Sequence, residues 1–266
     1  LATGAGHSSM ITTPRIQVDL GKIQHNTRYL VERLKARGIT VTAVTKATCG
    51  HPKIAQAMLD GGAVDLGEAR ITNVKRLRRA GITTPITLIR TPILSQADRV
   101  VRSCSTSYNS EIEVIARLAE AARKAKLVHH IILMVEMGDM RDGIMPENVA
   151  AIARQVAAMP GVKLRGIGAN FACLSGMAPD AAKMKDLSTI ASDTERAHGS
   201  LIRVISGGNS ANLPWALGAH SSTRINNLRL GEAILLGVEP VSGDKISGLF
   251  TDAFTLVTEV IEAKVK

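Results

Sequence analysis

Aromatic side chains are scarce in this 266-residue chain: three Phe, two Tyr and one Trp. That scarcity argues against base-stacking platforms and aromatic cages. It leaves a core of Ile, Val, Leu, Ala and Met. Cysteine is sparse as well. Cys49, Cys104 and Cys173 are too few and too scattered for a disulfide framework or a zinc site, which fits a reducing cytoplasm. No apolar run approaches the roughly 18 residues that a membrane span needs. Residues 1–14 lack the charged start and apolar core of a signal peptide. They read as a disordered arm or a cloning remnant.

What is present is a globular composition, 45% hydrophobic and 21% charged. The length suits one or two domains, or one α/β barrel of about 250 residues. The net charge is +10. Such a balance is compatible with nucleic acid, an anionic membrane or an acidic substrate. The strongest basic cluster, Lys75-Arg76-Leu77-Arg78-Arg79, lies in a helix-like segment with no accompanying nucleic-acid motif. It reads as a solvated face, so neither nucleic acid nor membrane is expected as a partner.

Apolar runs of four to seven residues alternate with helix-period segments along the chain. Strands are predicted over residues 41–45, 64–66, 86–89, 104–107, 131–135, 164–168, 202–205 and 225–230. Helices are predicted between them, over 52–60, 71–80, 95–101, 111–126, 146–159, 181–197 and 212–218. Continuous apolar strands alternating with helices imply a parallel sheet. Eight such units imply an α/β fold of the (β/α)8 TIM-barrel type. An open doubly wound sheet fits less well, because the turn after residue 45 lacks the glycine fingerprint of that fold. A helix over 21–37 precedes the barrel. Residues 15–20 and 253–263 read as flanking strands, which pair with each other or belong to an incomplete or missing C-terminal β-domain. The expected division is a barrel over 15–245 and the start of a truncated β-domain over 246–266.

Active sites of such barrels lie at the C-terminal ends of the strands. Lys46 stands there in Ala43-Val44-Thr45-Lys46-Ala47. With an apolar run behind it, the side chain is expected to be partly desolvated, which favours a nucleophilic amine; the alternative is a lysine whose stem is buried and whose head reaches water. Ser206-Gly207-Gly208-Asn209-Ser210 follows the seventh strand, and Arg229-Leu230-Gly231-Glu232 ends the eighth. Loops in these two positions often bind phosphate. An amine facing a phosphate site suggests pyridoxal 5'-phosphate (PLP). Arg70, Asn73 and Arg90-Thr91-Pro92 occupy the same end, as pocket residues or as local structure. Tyr108-Asn109-Ser110 is placed just after the fourth strand, with Ser110 as a helix cap. His51, His129, His130, His198 and His220 show no metal-ligand spacing, and no metal is expected.

These motifs, together with Met137-Gly138-Asp139-Met140-Arg141-Asp142-Gly143 and Gly168-Ala169-Asn170-Phe171-Ala172-Cys173, resemble those of the fold-type III PLP enzymes, the alanine racemase-like barrels. The similarity is strongest to the ornithine racemase-like branch and runs from about residue 15 onward. It implies an amino-acid racemase acting by α-proton abstraction, with a basic substrate such as ornithine. It makes Lys46 the Schiff-base lysine and one of two proton-transfer bases. Arg229 would face the pyridine nitrogen and Arg141 the phenolic oxygen. Ser210, Gly231 and Glu232 would bind phosphate, with Ser206, Gly207 and Asn209 in the same loop. Asn170 stands where alanine racemases carry a histidine against the ring. The resemblance also implies a homodimer whose C-terminal β-domain lends a second base, a tyrosine, to the neighbouring subunit. Two departures stand out. Gly50 replaces the tyrosine that alanine racemases carry four residues after the lysine, which argues against alanine racemase proper. Tyr29 and Tyr108 both lie outside the second-base motif. A non-catalytic PLP-homeostasis protein and a D-amino-acid aldolase are the competing readings.

Overall fold

The computed structural model describes residues 13–172, 177–219 and 223–265; the arm through residue 12, Cys173 and His220 lie outside the described residues. The chain opens with strand β1 (Arg15–Val18) and helix α1 (Leu20–Lys35). Asp19 caps α1 by accepting the Lys22 amide at 3.0 Å. Ile23, Thr27, Leu30 and Leu34, spaced three and four apart, form its buried stripe.

Eight parallel strands then close into a barrel. They are β2 (Thr40–Val44), β3 (Asp65–Glu68), β4 (Ile86–Leu88), β5 (Thr106–Asn109), β6 (His129–Val135), β7 (Val162–Ala169), β8 (Val204–Ser206) and β9 (Asn227–Leu230). Closure runs through β2 and β9, from Thr40 opposite Asn227 to Ala43 opposite Leu230. Between the strands lie α2 (Pro52–Asp60), α3 (Ile71–Arg79), α4 (Ala97–Ser103), α5 (Ile112–Lys124), α6 (Pro146–Ala157), α7 (Ala181–His198) and α8 (Leu213–Leu217). The expected TIM barrel is thus the observed fold. Among the described residues no helix is long and apolar enough to cross a membrane.

Three local expectations need correction. Tyr108 and Asn109 lie inside β5, not after it. Ser110 does not cap α5; Glu111 holds that place, and Ser110 Oγ lies 3.2 Å from Thr91 Oγ1. The strand expected over 253–263 shrinks to β10 (Phe254–Val257), which pairs antiparallel with β1. A further helix, α9 (Glu232–Leu236), is too short to show a period. In the basic cluster of α3, Arg78 donates to the carbonyls of Ile82, Thr84 and Ser103; it ties α3 to its neighbours.

Alternation along the strands sorts side chains into two compartments. Val41, Ala43, Leu66, Ile86, Ile131, Leu133, Leu228 and Leu230 pack outward beneath the helices in the main core. The lumen holds a separate apolar cluster of Tyr108, Ile132 and Met134. Its lower layers are polar: Thr87 Oγ1 donates to Asp65 at 3.2 Å, and Asn227 Nδ2 donates to Thr42 at 3.1 Å. Burial pushes the Asp65 carboxyl up.

A register shift between Ile131 and Ile132 gives β7 one extra residue, Arg165. The next residue must be glycine. A Cβ on Gly166 would overlap the Val204 carbonyl oxygen and lie 2.7 Å from its carbon. Gly166→Ala is therefore expected to destabilise the barrel by about 3 kcal/mol, read as a lowered urea midpoint with unchanged slope.

His129, on the outer face of β6, is buried and lies 2.8 Å from Ser107 Oγ. Burial, with the neighbouring His130, pushes its imidazole down to about 4. The unfolded chain binds this proton near pH 6.5 and the folded chain only near pH 4. Stability attributable to His129 is therefore present above about pH 6.5 and lost as pH falls toward 4. The expected loss is about 3 kcal/mol. Comparing unfolding free energies of the parent and His129→Gln at pH 7 and pH 4 checks it: the parent should lose this much more than the variant.

Candidate active site

The C-terminal ends of the strands surround a cavity of about 820 Å³. Lys46, Arg141, Asn170, Asn209, Ser210, Arg229, Gly231 and Glu232, all expected at the site, line it, as do Arg90 and Thr91. Arg70, Asn73, Ser206 and Gly207 do not.

Lys46 opens a one-turn 3-10 helix directly after β2. The expected desolvation is not what the structure shows: the side chain is exposed, and its amine has no hydrogen-bond partner among the described residues. The backbone beneath it is tightly held. Thr45 Oγ1 donates to Glu68 Oε2 at 2.9 Å. The other Glu68 oxygen accepts the Ala69 amide at 2.7 Å and Asn73 Nδ2 at 3.1 Å. Glu68 is fully buried. Gly50 (φ 62°) closes the turn so near Asn73 that a Cβ would sit 3.0 Å from it. Thus Asn73 supports the lysine turn from below.

Arg229 is buried at the end of β9. Nη1 donates to Ser206 Oγ at 2.6 Å and Tyr108 Oη at 3.3 Å; Nη2 donates to the Ala169 carbonyl and Asn170 Oδ1, both at 2.8 Å. The guanidinium also lies over the Tyr108 ring, 4.6 Å from its centroid. These bonds use the four terminal N–H groups. Nε–H is the donor left over on a side chain that lines the cavity.

Ser206 and Gly207 are placed apart from the other expected residues. Ser206 points into the lumen and accepts from Arg229. Gly207 packs against the core, where a Cβ would lie 2.7 Å from Ile225 Cγ2. The loop turns into the cavity only afterwards. Gly208 (φ 100°) leaves no room for a side chain beside Phe171. Asn209 caps the short turn at Ser210–Asn212, and Ser210 Oγ accepts the Ala233 amide at 3.2 Å. The backbone amides of Ser210, Gly231 and Glu232 have no hydrogen-bond partner among the described residues. Three such amides on one cavity wall are the kind of donors that can hold an anion.

The loop after β6 is organised by Glu136, a residue that the strand pattern did not single out. Its carboxylate accepts the amides of Gly138 at 2.6 Å, Met140 at 3.1 Å and Arg141 at 3.2 Å. The loop thereby presents Arg141 and Asp142 to the cavity, with 3.7 Å between guanidinium and carboxylate. A carboxylate directly after a strand and two residues before a glycine was the available signal. Glu68, at the end of β3, offered a similar one.

The arrangement thus combines an unpartnered primary amine, a guanidinium fixed by four acceptors, and three open amides. The family described as "Alanine racemase, N-terminal domain" matches residues 18–240. A lysine racemase of Thermotoga maritima is 36% identical over 95% of this chain and 71% of its own length. An ornithine racemase of Acetoanaerobium sticklandii is 30% identical over the same shares. Among solved structures, an alanine racemase of Streptomyces lavendulae superposes with TM-score 0.71 at 24% identity, over 86% of this chain and 60% of that one. A D-threonine aldolase of Filomicrobium marinum gives 0.73 at 17%, over 89% and 66%. At those identities the structural likenesses speak for the fold alone. The family match and the two racemases carry the conclusion that the chain belongs to the alanine racemase N-terminal domain family.

Proposed function

We propose that this chain is the PLP-binding barrel of an amino-acid racemase that interconverts the L and D forms of a basic amino acid such as lysine or ornithine. One observation carries this reading: the free Lys46 amine shares a cavity with the Arg229 guanidinium and with the open amides of Ser210, Gly231 and Glu232. The family is PLP-dependent, and this donor set fits that cofactor. The amides suit its phosphate, Nε–H of Arg229 its ring nitrogen, and Lys46 its carbonyl carbon. Arg141 is assigned to its phenolic oxygen and Asn170 to the ring face, where its Oδ1 bond to Arg229 fixes it.

Bound PLP supplies an electron sink that acidifies the α-hydrogen of an attached amino acid. The protein's own part is to hold and move protons. A guanidinium only donates hydrogen bonds, so Arg229 keeps the ring nitrogen unprotonated and weakens the sink. The proton steps at Cα then depend more heavily on well-placed bases. Lys46 Nζ, on a rigid turn and without a competing partner, would take the α-proton of one isomer from its face while a second group delivers a proton to the other face; in the reverse direction Lys46 would be the donor. The opposite face needs a second base. Neither tyrosine of this chain lines the cavity, and the second base is assigned to a partner subunit of a cytoplasmic homodimer. Asp142 and Glu232 are the carboxylates on the cavity wall, and they are the candidates to receive the distal ammonium of the substrate.

The test is to incubate the PLP-saturated protein with L-lysine, L-ornithine and L-alanine in deuterated water. Deuterium entering Cα, with the D isomer appearing, is the expected result for the basic substrates. A PLP absorption band with no exchange on any amino acid would leave a cofactor carrier instead. Aldehyde released from a β-hydroxy amino acid would point to an aldolase.

A further inference from the structure

The N-terminal mouth of the barrel, opposite the candidate active site, opens into a second cavity of about 750 Å³. Its lining includes His130, Lys163, Arg165 and Arg203, and no aspartate or glutamate. Three features of the backbone bring these cations together. Lys163 stands opposite His130 in the β6–β7 register. Arg165 is the extra residue at the bulge, and its guanidinium reaches into the lumen to donate to Thr106 Oγ1 at 3.0 Å. The Arg203 amide donates to the Arg165 carbonyl at 2.9 Å, which sets those two residues side by side.

Among the described residues, Lys163, Arg165 and Arg203 make no ion pair. The carboxyl in the lower lumen, Asp65, is pushed up by burial and drawn partly back down by the charge of Arg165. It forms no ion pair with the three cations, and as one carboxyl it offsets at most one of their three charges. Barrel lumens are commonly filled by bulky branched side chains. Here the layer above the mouth holds Thr42, Thr87, Thr106 and Asn227 instead. Three like charges around one concavity repel each other, and a multivalent anion turns that repulsion into attraction. The rim adds exposed apolar surface from Val64 and Leu201, which suits an organic ligand. The volume of this open concavity suits a small molecule.

We propose that this mouth binds a small organic molecule bearing a multivalent oxyanion, phosphate or polycarboxylate, between Lys163, Arg165 and Arg203. This site is independent of the racemase reading. His130 serves as its reporter. Burial holds this imidazole below its usual range, and the charges of Arg165, Lys163 and Arg203 add to that, against a bond to the Ser105 carbonyl. A bound anion offsets the three charges and raises the imidazole, so binding takes up protons and tightens as pH falls through the histidine range.

Calorimetric titration with pyrophosphate and with citrate tests the proposal on protein saturated with PLP, so that the upper anion site is filled. One lower site is expected, with proton uptake that grows as pH is lowered. Lys163→Gln combined with Arg203→Gln should weaken it at least about tenfold. Both side chains are exposed, so the melting temperature should hold. Arg165→Gln is the third variant and should act in the same direction. Preference for pyrophosphate or for citrate separates phosphate from carboxylate ligands. Absence of binding in the parent, or an affinity unchanged in the double variant, overturns the site. The variants leave the upper cavity untouched, so failure here is distinguishable from failure of the racemase reading.

Discussion

Lys46→Ala should lower racemisation at least about 10³-fold and abolish covalent retention of PLP. It should leave the melting temperature within about 2 °C of the parent. The two halves of this expectation have different origins. Activity depends on the amine, because no other lysine lines the cavity. Stability does not, because the amine is exposed and bonds to nothing among the described residues. Thr45 and Glu68 hold the turn without it. Lys46→Arg should fail equally in catalysis. It keeps the positive charge, but a guanidinium neither deprotonates nor accepts a proton in this range. Deuterium exchange at Cα, followed by proton NMR, reads the catalytic loss. The visible spectrum after dialysis reads retention of the cofactor. Exchange that persists in Lys46→Ala would remove Lys46 from the proposed role.

The barrel was legible because two periods coexist in the chain. Runs such as Ile131-Ile132-Leu133 must be buried on both sides, and helical segments such as residues 52–60 begin at a proline and end at a glycine pair. Where the lumen is polar, the signal fails. The strand Thr106–Asn109 carries Thr, Ser, Tyr and Asn, and its expected position fell two residues early for that reason. Lys46 was legible as a charged residue at the end of an apolar strand, whereas the part of Arg229 was legible only through the family resemblance. Ser206 and Gly207 were assigned to the ligand because a glycine-rich loop does not reveal where it turns outward; the Gly207–Ile225 packing and the Ser206–Arg229 bond place that turn two residues later. Glu68 and Glu136 act through backbone amides, and such bonds are invisible until the loop conformation is known.

Arg229→Met is expected to damage both the fold and the cofactor site. The guanidinium satisfies two hydroxyls, a carbonyl and an amide oxygen inside the lumen, and it stacks on Tyr108. Methionine keeps much of the volume and none of the donors. Each stranded acceptor costs on the order of 1–3 kcal/mol, moderated by rotation of the hydroxyls. A loss of about 4 kcal/mol is the expected sum, or a fall in melting temperature of roughly 8–16 °C. Arg229→Lys separates charge from geometry. A lysine restores one positive charge but only a point donor, without the planar fork that spans Ser206, Ala169 and Asn170. It should recover less than half of the lost stability. It should also leave the Asn170 amide free to turn away from the cavity. The same two variants probe the electronic role. With the ring nitrogen no longer facing a fixed guanidinium, the PLP absorption band should shift relative to the parent, and weaker binding alone would lower its intensity without moving it. Near-parental stability in Arg229→Met would mean that the lumen network relaxes around its loss, and that Arg229 serves the ligand rather than the barrel.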